Sequence, residues 1–218
     1  MRKEIFAEDN YYHLYSRGTE KRVIFIDDRD RIRFLHTLYI LNNFILPGGH
    51  FDFIKLEPRD SLTKLVGPYV EIVAGCLMPT HYHLMLTPKK ENGVSQFLQK
   101  IGTSYTKYFN TRHERTGRLF ESTFKAKHVD KYEYASYLTQ YIHLNPVELL
   151  NVKLEQDLLG EITRYPWSSL PEYLGLKSEF SLLVSSSFRE EVLGLNVAEY
   201  RKLLKETISL RSKPQATS

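Results

Sequence analysis

The chain has 218 residues, 42% of them hydrophobic and 26% charged, which is enough apolar material to pack one domain of ordinary size plus an appendage. No apolar run reaches the ~18 residues that cross a bilayer, "MRKEIFAEDN" lacks the apolar centre of a secretory signal, and the lone Cys76 excludes an internal disulfide. These features fit a cytoplasmic protein without a membrane partner, and the net charge of +4 is too small by itself to name one.

In chain order, "YYHLYSR" (11–17) alternates aromatic and polar residues as a strand does, and Gly18 closes it. "DDRDRIRFLHTLYILNNF" (27–44) opens with capping aspartates and repeats apolar residues at Ile32, Phe34, Leu35, Leu38 and Leu41, the pattern of an amphipathic helix. Residues 45–68 carry the turn signals "LPGGH", "EPRD" and "GP" and read as an irregular insertion. "YVEIVAGCLM" (69–78) and "YHLMLTP" (82–88) flank Pro79-Thr80 as a hairpin. A second helix spans 94–113, a strand lies within "RLFESTFKAKHVD" after Gly117, and a third helix spans 131–146, where Pro146 should end or kink it.

The order β-α-β-β-α-β-α predicts an α+β, ferredoxin-like split βαββαβ sheet with one helix added after its last strand. The first domain then covers residues 1–150. Residues 151–218 form a C-terminal extension, with an aromatic segment at 164–175 that packs through Trp167, a helix at 196–210 and a frayed tail, "RSKPQATS".

Charge is unevenly placed. Residues 89–128 hold nine cations (Lys89, Lys90, Lys100, Lys107, Arg112, Arg115, Arg118, Lys125 and Lys127) against Glu91, Glu114 and Glu121. Interleaved with Tyr105, Tyr108, Phe109, Phe120 and Phe124, they make the footprint expected for single-stranded nucleic acid, with cations for phosphates and rings for bases. A solvated helix face with core aromatics behind it gives the same pattern.

Within "MPTHYHLML" (78–86), His81 and His83 fall on one face of a strand, with Tyr82 on the other. Two adjacent imidazoles can hold one divalent cation, although a His-x-His pair alone also fits a surface strand or a hydrogen-bonded core. On the third helix Tyr134, Tyr137 and Tyr141 share a face, and Asn145 follows four residues after Tyr141. An aromatic stripe of this spacing is ordinarily core. Yet a phenol beside a metal can act as a nucleophile, and an amide oxygen can complete a hard coordination sphere. Asn145 precedes Pro146, which disfavours the α region there and could distort the alignment.

"MPTHYHLML", "GRLFESTFKAKHVD", "YIHLNPV" and "YPWSSLPEYLG", in this order and spacing over residues 11–175, resemble the single-tyrosine HUH transposases. The closest branch is the REP-associated tyrosine transposases and their insertion-sequence relatives. The resemblance implies a catalytic domain at 1–150 that needs Mg²⁺ or Mn²⁺. It implies His81, His83 and Asn145 as metal ligands, with Tyr82 in place of the usual aliphatic residue between the histidines. Tyr141 matches the nucleophile, which would form a 5′-phosphotyrosine and leave a 3′-OH that can be rejoined without a nucleotide cofactor. Single-stranded or hairpin DNA is the implied partner, and Lys100, Lys107, Arg112, Arg115, Arg118, Lys125 and Lys127 are the candidate DNA contacts. Relatives act either as homodimers that exchange the tyrosine helix or as monomers, so both remain open. A domesticated hairpin-binding module without chemistry is the rival reading. A two-histidine phosphoesterase is disfavoured because the hairpin supplies no acidic ligand and "HTL" (36–38) lies on a helix.

Overall fold

In the computed structural model, which describes residues 5–42, 67–150, 157–184 and 187–212, the sheet begins with β1, Tyr11–Arg17, and the following helix is α1, Asp28–Leu41. The Asp27 carboxylate accepts from the Asp30 amide at 3.2 Å, filling one of the donors that a helix start leaves unpaired. Most of the insertion expected at 45–68, and the end of the first predicted helix beyond 42, lie outside the described residues.

The hairpin forms as predicted, with β2 at Val70–Met78 and β3 at His81–Pro88. Its tip is tied down: the Ile24 amide donates to the Pro79 carbonyl at 2.8 Å and the Gly18 amide to that of Thr80 at 2.9 Å. Helix α2 runs Gly93–Arg112. The strand expected within 118–130 is shorter, β4 at Lys125–Val129, preceded by bends with an isolated Gly18–Phe120 bridge. Leu119, Phe120 and Phe124 explain the difference: their spacing breaks the two-residue period, so no single strand could turn all three to one face.

Helix α3, Tyr132–Leu144, passes into a tighter 3-10 turn at Asn145–Leu149. Pro146 has no amide to continue the α ladder, so the change falls where the proline predicts it. Asn145 nevertheless keeps α-helical angles, φ −54° and ψ −40°, so the distortion expected before proline does not occur.

The four strands are ordered β2-β3-β1-β4, each antiparallel to its neighbours, which is the ferredoxin-like arrangement. One face packs on α1 and α2; Tyr82, for example, meets Phe34 of α1 with ring centroids 4.9 Å apart. The other face receives α3.

The C-terminal extension joins the same core rather than forming one of its own, burying Trp167, Tyr173, Phe180, Tyr200 and Leu204. After α4 (Leu158–Thr163), residues 165–173 line the outer edge of β2. The Leu77 amide donates to the Trp167 carbonyl at 2.8 Å, and the Tyr165 and Tyr173 hydroxyls donate to the carbonyls of Leu77 and Val73 at 2.6 and 2.7 Å. An exposed sheet edge is thereby covered. Gly75 permits this packing, because a Cβ there would stand 2.5 Å from the Phe180 ring. The chain closes with α5 (Leu170–Tyr173) and α6 (Val197–Ser212); the expected frayed tail lies outside the described residues from 213 onward.

Candidate active site

Strand alternation puts His81 and His83 on the α3 face of β3, with ring centroids 5.0 Å apart. Beside them lies β1, the central neighbour of β3, in a register that sets Tyr15 opposite His83 and Arg17 opposite His81. This pairing brings in a residue the sequence reading did not single out: Nε2 of His13 lies 2.9 Å from Nδ1 of His83. The available signal was the alternation of "YYHLYSR", which places His13, Tyr15 and Arg17 on one face. The Thr80 hydroxyl lies 3.0 Å from Nδ1 of His81. With Nδ1 of each ring engaged, Nε2 is the remaining ligand atom on both.

Helix α3 crosses above the pair and delivers Tyr141, whose ring centroid is 5.5 Å from that of His83 and 6.2 Å from that of His13, both edge to face. One turn later the Asn145 amide nitrogen donates to the Tyr141 carbonyl at 2.8 Å. That bond spends the amide nitrogen and leaves Oδ1 as the acceptor facing His81, and the side chain also reaches the Tyr141 phenol. All four predicted chemical residues therefore meet within one chain. They line a cavity of about 430 Å³ together with His13, Tyr15, Arg17, Lys125, Lys127, Tyr134, Tyr137 and Glu148.

Burial keeps the imidazoles neutral, the form that ligates metal. Desolvation takes His13 down to about 4 and His83 to about 2, with the neighbouring His13 and His81 adding to the effect on His83. His81 is lowered by burial and by Arg17, against a smaller opposing effect of Glu148. The Tyr141 phenol is raised, first by burial and then by Glu148, so it is protonated at neutral pH.

Among the described residues no group of three or more His, Cys, Asp and Glu side chains can hold a metal ion. The donor set here is instead two imidazoles and an amide. These three neutral donors fit a divalent cation that completes its sphere with water or phosphate oxygens, and they leave its full charge for an anionic substrate.

The seven candidate DNA-contacting cations do not form one surface. Lys125 and Lys127 line the histidine cavity. Lys107 and Arg118 line a separate cavity of about 650 Å³ between α2 and residues 118–124. Lys100 donates to the Tyr69 hydroxyl at 2.8 Å and sits 4.6 Å over its ring. Arg112 holds Asp27 with two bonds, of 2.8 and 2.5 Å, and Asp30 with one of 2.5 Å. Arg115 bonds the Asn110 side chain and the Arg118 carbonyl. The interleaved rings need correction as well: Tyr105, Phe109 and Phe124 are buried in the core and cannot stack on bases.

A family model described as "Transposase IS200 like" matches residues 54–145, which include His81, His83, Tyr141 and Asn145. No curated protein matches this chain. Among solved structures, a REP-associated tyrosine transposase bound to a REP hairpin superposes with a TM-score of 0.51 at 13% identity, covering 82% of this chain and 88% of that one. A chain from Deinococcus radiodurans crystallised under a transposase name gives a TM-score of 0.36 at 18% identity, covering 65% of this chain and 95% of that one. At that identity the first of these shows a shared fold. The match over residues 54–145, together with the ferredoxin-like sheet, makes this part of the chain similar to the IS200-like transposases.

Proposed function

We propose that this protein cleaves and rejoins single-stranded DNA through Tyr141, with His81, His83 and Asn145 holding a Mg²⁺ or Mn²⁺ ion. The observation that carries the reading is the seating of the Tyr141 ring against the His83 imidazole by a helix of the same chain. DNA is the partner that the family name implies, and the REP hairpin held by a transposase of the same fold supports hairpin recognition.

A phosphodiester resists attack because its oxygens are anionic, and a phenol with a pKa near ~10 is a weak nucleophile. When bound, the divalent cation supplies Lewis-acid stabilisation of the phosphate oxygens and lowers the pKa of a nearby phenol. The chain's own residues do the positioning. His13 and Thr80 hold the Nδ1 atoms of His83 and His81, so both Nε2 lone pairs aim into the cavity. The Asn145 amide, anchored on the Tyr141 carbonyl, presents Oδ1 beside them. Tyr141 attacks the phosphorus: its Oη–P bond forms, the P–O3′ bond breaks, the phenolic proton departs and the O3′ takes one up. The products are a 5′-phosphotyrosine and a free 3′-OH. Because the ester energy is retained, a second 3′-OH can reverse the step, which suits strand transfer. Arg17 and Lys127 offer positive charge at the cavity for the flanking phosphates, beside Lys125, which pairs with Glu121 at 3.1 Å, and Glu148.

The test is a denaturing gel with end-labelled hairpin DNA carrying single-stranded flanks, in Mn²⁺. The expected result is a protein–DNA adduct and a cleaved strand, both absent in Tyr141→Phe while DNA binding persists. Cleavage by Tyr141→Phe would move the nucleophile to Tyr137 or Tyr134. Hairpin binding with no adduct from the unaltered protein would establish the domesticated binding module instead.

A further inference from the structure

Tyr141 is the last of three rings set along α3. Tyr134 and Tyr137 have centroids 6.4 Å apart and Tyr137 and Tyr141 6.5 Å, with interplanar angles of 24° and 23°, so the three present near-parallel faces. A core stripe would be buried, but Tyr137 is 53% exposed, and all three rings line the histidine cavity. The opposite wall belongs to β1 and β4. There Lys127 places Nζ 4.5 Å over the Tyr134 ring and Lys125 places Nζ 5.9 Å over the Tyr15 ring. Lys127 thus rests on the Tyr134 ring and Lys125 also pairs with Glu121 at 3.1 Å, while the exposed Tyr137 ring between Tyr134 and a candidate nucleophile leaves a face for a base next to cations for phosphates, the two needs of an unpaired polynucleotide.

We propose that Tyr137 and Tyr134, with Lys127 and Lys125 opposite, form a stacking track for the bases of the single strand adjoining the phosphate at Tyr141. This rests on the reading of Tyr141 as nucleophile, and it adds that the strand runs along α3 and is held there without regard to base identity. Stacking is sequence-tolerant because every base has a π face, so the track grips the flank while recognition of a particular hairpin lies elsewhere.

Fluorescence anisotropy separates these contributions with two labelled probes of equal length, an oligothymidylate and its fully abasic counterpart. Tyr137→Ala is expected to weaken oligothymidylate binding about tenfold and to leave the abasic probe nearly unchanged. Tyr137→Phe, which keeps the ring, should bind both as the unaltered protein does. Lys127→Ala should weaken both probes and lower the salt slope by about 0.7. Equal losses on the two probes from Tyr137→Ala, or no loss on either, would overturn the track. Tyr137 is exposed, so its truncation opens no core cavity, and circular dichroism verifies the fold. Run alongside, Tyr141→Phe keeps the two readings apart. An adduct from that variant would defeat the nucleophile while the binding data still judge the track, and a silent Tyr137→Ala would defeat the track while the adduct assay still judges the nucleophile.

Discussion

Arg112 sits in the basic segment, yet its guanidinium faces inward, clamping the start of α1 to the end of α2. Its two bonds to Asp27 and one to Asp30 make Arg112→Ala a decisive substitution. Asp30 is fully buried and also accepts from the Ile26 amide at 2.9 Å, with His113 Nε2 at 3.0 Å, so it keeps partial compensation. Asp27 is about half exposed and recovers water. Breaking a fully buried ion pair costs about 3–5 kcal/mol, and those two discounts bring the expected loss to about 2–3 kcal/mol. Urea titration should show a lower midpoint with an unchanged slope. Affinity for a single-stranded oligonucleotide, measured where the variant is still folded, should keep its salt dependence. A stability change below about 0.5 kcal/mol, with a salt slope shallower by about 0.7, would refute the clamp and make Arg112 a phosphate contact.

Tyr141→Phe should abolish the covalent adduct and leave DNA affinity within about twofold, because a single hydroxyl contributes little to holding a strand. His13→Ala should weaken Mn²⁺ binding, followed by electron paramagnetic resonance, about 10- to 100-fold by freeing the His83 ring, with His13→Gln restoring part of it; undiminished Mn²⁺ affinity would exclude the positioning role. For pH, His143 is the clearest group. Buried among the neutral Tyr200, Ser169 and Tyr173, it is lowered to about 3 by desolvation. Its folded pKa lies below the unfolded ~6.5, so its contribution is complete above that pH and is lost toward pH 3, at about 1.4 kcal/mol per unit. Melting in EDTA should show stability falling between pH 6.5 and 4.5 in the native chain and less steeply in His143→Phe, and equal slopes would refute it.

The element order was legible in the sequence, because periodicity, a proline stop and alternation are local signals, whereas the grouping of His81, His83, Tyr141 and Asn145 rested on the resemblance to the single-tyrosine transposases, since no local signal brings a helix face to a distant strand. His13 was not legible, since a lone histidine in an aromatic strand does not disclose a partner 70 residues away; only the β1–β3 register does. The basic segment misled for a related reason. Counting charges cannot tell Lys127, beside the cavity, from Arg112, held by two aspartates, and the burial of Tyr105 and Phe109 follows the helical period rather than their chemistry. The stretch before β4 is short of strand because its apolar residues change sides, a point of parity that composition hides.

The contacts behind α3 bear on which molecule supplies the tyrosine. His143 has one ring nitrogen 2.7 Å from the Tyr200 hydroxyl of α6 and the other 2.8 Å from the Ser169 hydroxyl, and the Thr207 hydroxyl of α6 donates to Gln140 at 2.5 Å. Lending α3 to a second copy would strip a solvent-free imidazole of both partners, at about 1–3 kcal/mol for each unmet group, unless α6 travelled with it. The fold thus favours keeping α3 on its own chain, and a swap would have to carry the whole carboxyl-terminal arm across.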